Sequence, residues 1–236
     1  MPALAEPIAL FVDLDGTLID IAPTPAAVKV SPLLLQTLAA LAPRLDGALA
    51  CISGRGFGDL ARLLQGAGIA LVGSHGAELL QAAPADARLA ALALRCRQAL
   101  QPWPGALVEE KPCGLALHWR QAPEAEAMIR ELGAQLAAAM PTHGLCEGRK
   151  VLEWLPAHVD KGTALQQLMQ QRPYHGRVPV FIGDDTSDIS AMQAARALGG
   201  LAFAVGGRVA AHADGVFARP ANVLAWLQLQ VRMRPT

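Results

Sequence analysis

The sequence predicts an α/β protein with a doubly wound, Rossmann-like parallel-sheet core and an inserted α/β domain. Short apolar runs alternate with segments of helical spacing, as in a chain of β-α-β units. This alternation stops near residue 84, gives way to a helix and paired strands, and resumes after residue 156. We therefore predict a core formed by 1–83 and 157–236 and an insert formed by 84–156.

The first part of the predicted core alternates strand and helix. The continuous apolar run IALFV at 8–12 is typical of a strand buried on both faces. Leucines recur at helical spacing in 31–47, where Ser31 can cap the helix and Pro32 suits its first turn. The next three segments predict a strand in GALACIS (47–53), a helix in FGDLARLLQ (57–65), and in IALVGSHGAEL (69–79) a strand that runs into a Gly-rich turn.

The insert and the second part of the core follow different orders. In the insert we predict a helix at 86–100, strands at 105–110 and 114–120, a helix at 123–140, and strands at 144–148 and 150–155. In the core we predict a helix at 160–171, a strand at 178–185, a helix at 187–196, a strand at 200–206 and a helix at 221–231.

Composition excludes several classes of protein. With 53% hydrophobic and 17% charged residues the chain is globular, and 20 basic against 20 acidic residues give no overall field for nucleic acid or an anionic membrane. The four cysteines form no CxxC pair, which favours free thiols in a reducing cytosol over a zinc site or a disulfide framework. Asp13 interrupts the first apolar stretch, no basic region precedes that stretch, and no run approaches the roughly 20 apolar residues that span a bilayer. We expect a soluble cytoplasmic protein.

Polar residues follow three of the predicted core strands: Asp13 and Asp15, then Ser53, Gly54 and Arg55, then Asp184 and Asp185. Ligands of open parallel sheets bind at the carboxyl ends of the strands, so these groups should meet at one edge. Each group alone is also consistent with an ordinary solvated turn. Their joint placement favours a functional site.

Carboxylates dominate this predicted edge. With Asp188 one helical turn further on, up to five aspartates would share a small volume and repel one another unless a cation is present. All-oxygen ligands suit Mg²⁺, which also bridges phosphates. Ser53, the N–H of Gly54 and Lys161 could then hold a phosphate, although Lys161 alone would more often be a solvated first-turn residue. The pattern predicts metal-assisted phosphoryl transfer.

The chain contains four short motifs: DLDGT (13–17), ISGR (52–55), DKG (160–162) and GDDTSD (183–188). They occur in the same order in the haloacid dehalogenase superfamily of phosphotransferases, and the chain therefore resembles that superfamily. The insert falls where many members carry an α/β cap domain. The resemblance implies that Asp13 is the nucleophile and Asp15 the general acid and base. It further implies that Mg²⁺ is held by Asp13, Asp184 and the backbone carbonyl of Asp15, and that Asp185 and Asp188 support this metal site. Ser53 and Lys161 would contact the phosphoryl group.

Within this superfamily the chain is most similar to the trehalose-phosphate phosphatases. The similarity lies in ISGR and in GSHGAE (73–78), VEEKPCGLALHWR (108–120) and GRKVLEWLP (148–156). It implies Mg²⁺-dependent hydrolysis of trehalose 6-phosphate, with Glu109, Lys111 and Glu153 of the cap on the distal glucose. The further candidates for the substrate cleft are Gly54, Arg55, His75, His118, Arg120 and Lys150. Without the resemblance, the charged residues of the cap would be interpreted as solvated or as ion pairs.

The chain departs from the family pattern GDDxTDE at two positions, where Ser187 replaces Thr and Ile189 replaces Glu. The three aspartates of the motif are retained, so the predicted chemistry stands. The alternative substrates are other sugar phosphates, of the sucrose-phosphate or glucosylglycerol-phosphate type, or those of a phosphomutase relative; only the cap segments argue against them.

Rivals from other classes are weaker. A receiver-like phospho-aspartate module would not keep Asp15 next to its phosphoryl group, and a P-type pump would have Thr there and many membrane spans. A sugar-binding protein without catalysis would not need the carboxylate cluster. We expect a monomer that acts on a small sugar phosphate, with no nucleic-acid or membrane partner. We also expect functional coupling to a trehalose-phosphate synthase, and nothing in the sequence indicates direct contact with it.

Overall fold

The computed structural model describes residues 7–81 and 87–232. The chain divides into two compact units, the first formed by Met1–Gln81 with Asp160–Thr236 and the second by Ala82–Val159. The start predicted for the insert, residue 84, lies outside the described residues. The predicted end, residue 156, lies three residues before the end of the second unit.

The described strands in chain order are β1 (Ile8–Val12), β2 (Leu49–Ile52), β3 (Ala70–Gly73), β4 (Glu78–Leu79), β5 (Leu107–Lys111), β6 (Gly114–His118), β7 (His143–Gly148), β8 (Val151–Pro156), β9 (Val178–Gly183), β10 (Leu201–Val205) and β11 (Gly215–Phe217). The described α-helices are α1 (Pro32–Leu41), α2 (Phe57–Leu63), α3 (Ala87–Ala99), α4 (Glu126–Ala139), α5 (Lys161–Met169), α6 (Ile189–Ala197) and α7 (Pro220–Arg232). Among the described residues, no helix has both the length and the apolar character that crossing a membrane requires.

The first unit is built on a seven-stranded sheet in the order β11-β10-β9-β1-β2-β3-β4, parallel except for the β3–β4 pair. Successive residues of a strand point to opposite faces, so the apolar run of β1 serves two cores. Leu10 and Val12 pack in the cluster that contains residues of α1, α2 and α7. Ala9 and Phe11 pack in the cluster that contains residues of α5 and α6. The predicted doubly wound parallel sheet is confirmed.

Two short strands of this sheet were not predicted as separate elements. The segment 69–79, predicted as a strand that runs into a Gly-rich turn, forms β3, then the 3-10 turn Ser74–Gly76, and then the unpredicted β4, which runs antiparallel on the sheet edge. The strand β11 was not predicted at all. Its three residues are too few for a period-2 pattern to be recognised, and its pairing with β10 exists only in the folded sheet.

The second unit is a four-stranded antiparallel sheet in the order β5-β6-β8-β7 with α3 and α4 against one face. Residues such as Leu115, Leu117 and Trp154 pack in the helix-covered core. The register aligns Glu109, Ala116, Glu153 and Cys146 in one row across the four strands. The alternation of strand residues places this row on the face opposite that core.

Candidate active site

The end of β1 is joined closely to the end of β9. The Asp13 N–H donates to the carbonyl of Ile182 at 3.0 Å, which continues the pairing of the two strands beyond β1. The chain then turns at Gly16, whose φ is +90°. A Cβ at Gly16 would lie 2.1 Å from Oδ2 of Asp184, so this turn can lie against Asp184 only because residue 16 is glycine.

Three carboxylates from these two strand ends meet in one buried group. Ligand oxygens of Asp13, Asp184 and Asp188 all lie within 4.8 Å of one another, and the residues are 5%, 9% and 0% exposed. Lys161, 2% exposed, donates from Nζ to Oδ1 of Asp13 at 2.7 Å and to Oδ1 of Asp188 at 2.6 Å. Thr17 Oγ1 donates to Oδ1 of Asp184 at 3.1 Å. We call the three aspartates the carboxylate triad.

Burial and mutual repulsion perturb the triad. Burial raises the pKa of Asp13 well above its usual value, and the charges of Asp188 and Asp184 add to this while Lys161 opposes it. Burial, followed by the charge of Asp188, raises the pKa of Asp184 to about 7. Burial alone would lower the pKa of Lys161, but its two carboxylate partners outweigh burial and raise that pKa. With all groups ionised, three negative charges and one positive charge share this volume, so a bound cation would be stabilised there.

The triad fits Mg²⁺ by its chemistry. All three side chains offer carboxylate oxygens, which are hard ligands of the kind that Mg²⁺ prefers. The net negative charge that remains after Lys161 is counted suits a divalent cation.

Asp188 also organises the loop that carries Asp184 and Asp185. Its Oδ2 accepts hydrogen bonds from the backbone N–H groups of Asp184 and Asp185, at 2.8 and 3.0 Å. The side chain of Asp185, by contrast, accepts from the Thr186 N–H at 2.7 Å and pairs with Arg208 at 2.9 Å. Asp185 is therefore not among the triad ligands in this arrangement, and its carboxylate is engaged on the outer side of the loop.

Lys161 is positioned by the start of α5. Asp160 caps the helix by accepting from the Thr163 N–H at 2.7 Å, and Thr163 Oγ1 hydrogen bonds with the backbone N–H of Asp160 at 3.2 Å. This reciprocal capping box fixes where the helix begins. Lys161 is the first helical residue, and its long side chain reaches the triad from there.

Asp15, two residues after Asp13, binds a different partner. Arg55 donates from Nε to Oδ2 of Asp15 at 2.5 Å and from Nη2 to Oδ1 at 2.8 Å, which is a bidentate pair. Nη1 of Arg55 donates to Asp59 at 2.5 Å and to the carbonyl of Pro25 at 3.1 Å. Burial would lower the pKa of Arg55, but its hydrogen bonds to Asp15 and Asp59 outweigh burial and raise it. The guanidinium therefore stays charged.

The loop after β2 is joined to the turn after β3. Ser53 is buried, and its Oγ accepts from the backbone N–H of Arg55 at 3.2 Å, with Gly54 between them. The Ser74 N–H donates to the carbonyl of Arg55 at 2.8 Å, and the His75 N–H to that of Ser53 at 2.9 Å. Ser74 and His75 both have positive φ, 48° and 57°, which fixes a tight turn at this edge. The buried His75 therefore belongs to the same loop pair as the ISGR motif.

In the second unit, four of the predicted substrate residues form two side-chain pairs. Lys111 and Glu153 are both buried and paired, and His118 Nε2 lies 2.8 Å from Oε2 of Glu109. Burial would lower the pKa of Lys111, but the charges of Glu153 and Glu109 raise it. Burial would raise the pKa of Glu109, but the hydrogen bond with His118 and the charge of Lys111 hold it below its usual value. These polar side chains belong to one face of the sheet, where their strands run side by side.

Arg120 and Lys150 have other contacts. The guanidinium of Arg120 donates to the carbonyl of Arg149 at 3.1 Å. Lys150 Nζ lies 3.7 Å from a carboxylate oxygen of Glu126, and its side chain is about half exposed. Neither residue belongs to the Lys111–Glu153 pair or to the Glu109–His118 pair.

Comparison with known proteins settles the family. The trehalose-phosphatase family model matches residues 11–206, which include all four motifs and most of the chain. The chain belongs to the trehalose-phosphatase family. As a member of this family it is a phosphoric monoester hydrolase.

Individual relatives agree with this assignment. The chain is 36% identical to the trehalose-6-phosphate phosphatase of Escherichia coli (strain K12), over 97% of this chain and 88% of that protein. It is also 36% identical to a probable trehalose-phosphate phosphatase of Sinorhizobium fredii, over 84% of this chain and 77% of that protein. Among solved structures, the C-terminal domain of the C. albicans trehalose-6-phosphate phosphatase superposes with a TM-score of 0.81, covering 98% of this chain and 93% of that one; at 19% identity it supports the fold alone.

Sequence reasoning missed three residues around the site of this trehalose-phosphatase family member: Thr17, Asp59 and Arg208. Thr17 is part of the DLDGT motif, but its bond to Asp184 crosses between two strand ends and has no local signal. Asp59 follows Arg55 by four residues, a spacing that favours a side-chain pair at a helix start and could have identified it. Arg208 reaches Asp185 only through the tertiary fold.

Proposed function

We propose that this chain hydrolyses trehalose 6-phosphate to trehalose and phosphate, with Mg²⁺ and through an aspartyl-phosphate on Asp13. The observation that carries the chemistry is the buried carboxylate triad, two of whose members accept hydrogen bonds from the ammonium of Lys161. Family membership and the names of the relatives support the substrate.

The first step transfers the phosphoryl group. An oxygen of Asp13 forms a bond to phosphorus as the bond from phosphorus to the sugar oxygen breaks, and Asp15 gives that oxygen a proton. Lys161 donates hydrogen bonds to Asp13 and Asp188 and offsets negative charge as the phosphoryl group arrives. Ser53 and the N–H of Gly54 are the further groups that we assign to the phosphoryl oxygens.

The second step releases phosphate. Asp15 removes a proton from water as the water oxygen attacks phosphorus, and the bond from phosphorus to Asp13 breaks to regenerate its carboxylate. Mg²⁺, held by Asp13, Asp184 and the backbone carbonyl of Asp15, would neutralise charge on the phosphoryl oxygens when bound.

For sugar recognition we propose Glu109, Lys111 and Glu153; the weaker candidates for the substrate cleft are Arg55, His75, His118, Arg120 and Lys150. The paired and buried charges of Lys111 and Glu153 support this proposal, because ordered polar groups of this kind reject analogues that leave them unpaired. We further propose that the chain acts as a cytoplasmic monomer and is functionally coupled to a trehalose-phosphate synthase, whose product would be its substrate.

The test is phosphate release from trehalose 6-phosphate, glucose 6-phosphate and sucrose 6-phosphate, with Mg²⁺ and with a chelator, for the wild type and Asp13→Asn. We expect preference for trehalose 6-phosphate, dependence on Mg²⁺ and loss of activity in the variant. Equal rates on the three esters would contradict the substrate, and an undiminished Asp13→Asn variant would contradict the mechanism.

A second experiment addresses the sugar-binding residues. Glu153→Ala should lower kcat/KM for the disaccharide phosphate more than for a small generic phosphate ester. Since the alanine leaves the buried ammonium of Lys111 without its partner, Glu153→Gln, which keeps an acceptor, is the matched variant. An equal loss on both esters would remove Glu153 from substrate selection.

A further inference from the structure

Four alternating charges run from α2 to the proposed proton donor. Arg62 donates to Oδ1 of Asp59 at 2.5 Å, Asp59 accepts from Arg55 through its Oδ2 at 2.5 Å, and Arg55 holds both oxygens of Asp15. Arg55 is buried, whereas Arg62 is largely exposed. The hydrogen bonds of the arginines outweigh burial and lower the pKa of Asp59, so its charge persists at neutral pH.

The contacts of Arg55 fix the plane of its guanidinium. The Nε and Nη2 edge holds Asp15, while Nη1 donates to Asp59 and to the carbonyl of Pro25. A planar fork that is held on both edges cannot rotate without breaking a charged hydrogen bond. The orientation of the Asp15 carboxylate therefore depends on the groups that hold the opposite edge of Arg55.

Asp59 is the charged group on that opposite edge. It lies in the first turn of α2, where the helix dipole also favours a carboxylate. Its side-chain partners are Arg55 and Arg62, so its influence on a bound ester passes through Arg55.

We infer that Asp59 is a positioning residue of the reaction, which orients the proton-transferring carboxylate of Asp15 by fixing Arg55. This inference rests on the proposed function, in which Asp15 protonates the leaving oxygen. Loss of Asp59 then slows the reaction in proportion to how much the leaving group needs that proton.

The experiment compares two esters in Asp59→Asn. A sugar oxygen leaves poorly without a proton, whereas the phenolate of p-nitrophenyl phosphate leaves well without one. For trehalose 6-phosphate we expect kcat/KM to fall about tenfold, a part of what a proton donor contributes, and for p-nitrophenyl phosphate less than about twofold. Asp59→Glu should restore part of the loss on the sugar ester.

Two controls separate positioning from a general structural effect. Asp46→Asn removes another aspartate–arginine pair of the same unit, with Arg177 at 2.7 Å, and should leave both kcat/KM values unchanged. In an Arg55→Met background Asp59→Asn should have no further effect, because its influence passes through Arg55.

Each outcome decides the inference. A selective loss on the sugar ester supports it, while an equal loss on both esters, no loss on either, or additive losses in the double variant overturn it. If the wild type cleaves p-nitrophenyl phosphate and glucose 6-phosphate but not trehalose 6-phosphate, the substrate proposal fails, and the same comparison with glucose 6-phosphate still decides the role of Asp59. A wild type that hydrolyses no ester overturns both.

Discussion

Replacement of Lys161 by methionine tests whether the carboxylate triad depends on an internal cation. Nζ lies 2.7 Å from Asp13 and 2.6 Å from Asp188, and all three residues are buried. At an effective dielectric of about 20, each attraction amounts to about 6 kcal/mol before the cost of desolvation is subtracted. Removing one partner of a buried pair typically costs about 3–5 kcal/mol, and here two carboxylates lose a partner, so we expect about 5 kcal/mol.

The assay is urea unfolding followed by circular dichroism, first in a chelator and then with Mg²⁺. In the chelator, Lys161→Met should lose about 5 kcal/mol of unfolding free energy. Because the added ion replaces part of the lost positive charge, Mg²⁺ should stabilise the variant more than the wild type. Phosphatase activity should still fall on the order of 100-fold with Mg²⁺, since a charge next to the phosphoryl group is lost.

Lys29→Met is the matched control, because Lys29 is exposed in the same unit. It should change the unfolding free energy by less than about 0.5 kcal/mol. A Lys161→Met variant within about 1 kcal/mol of the wild type in the chelator would refute the charge balance that we describe for the triad. Equal stabilisation of both proteins by Mg²⁺ would refute the exchange of one cation for another.

Two further predictions concern the turn after β1 and the contact between Glu109 and His118 in the second unit. Gly16→Ala should lower activity on the order of 100-fold, because its Cβ displaces the Asp184 carboxylate. Gly66→Ala is the control, because Gly66 has a similar φ of +85° and its alanine variant carries the same backbone strain of about 1–2 kcal/mol, while no atom lies within 4 Å of the added Cβ. Equal activity losses in the two variants would contradict the proposed clash between the Cβ at residue 16 and Asp184. Burial would raise the pKa of Glu109, but the hydrogen bond with His118 and the charge of Lys111 together hold it below its usual value, so these interactions stabilise the folded state above about pH 4.3 and cease to do so as the pH falls further. His118→Gln should therefore lower the urea midpoint at pH 7 and leave it nearly unchanged at pH 3, and an equal shift at both values would contradict the assignment.

Most of the fold could be predicted from periodicity and strand-end residues. The apolar run at 8–12 forms β1, and Ser31 accepts from the Leu34 N–H at 3.2 Å as the cap of α1. The short strands β4 and β11 could not be predicted, because two or three residues carry no recognisable period and their pairing with β3 and β10 forms only in the folded sheet. The helix predicted at 123–140 begins at Glu126, after a 3-10 turn that helical spacing does not distinguish.

For the site, the sequence determined which residues we predict to carry the chemistry, since Asp13, Asp15, Lys161, Asp184 and Asp188 follow strands or stand at helix starts whose ends converge in a parallel sheet. Only the tertiary structure decided how they pair, because side chains far apart in sequence become neighbours only after the strands align. It joins Lys161 to two members of the triad, and it directs the side chain of Asp15 to Arg55. The roles that we propose for these residues follow from that pairing, which depends on distances of a few ångströms that no linear spacing contains.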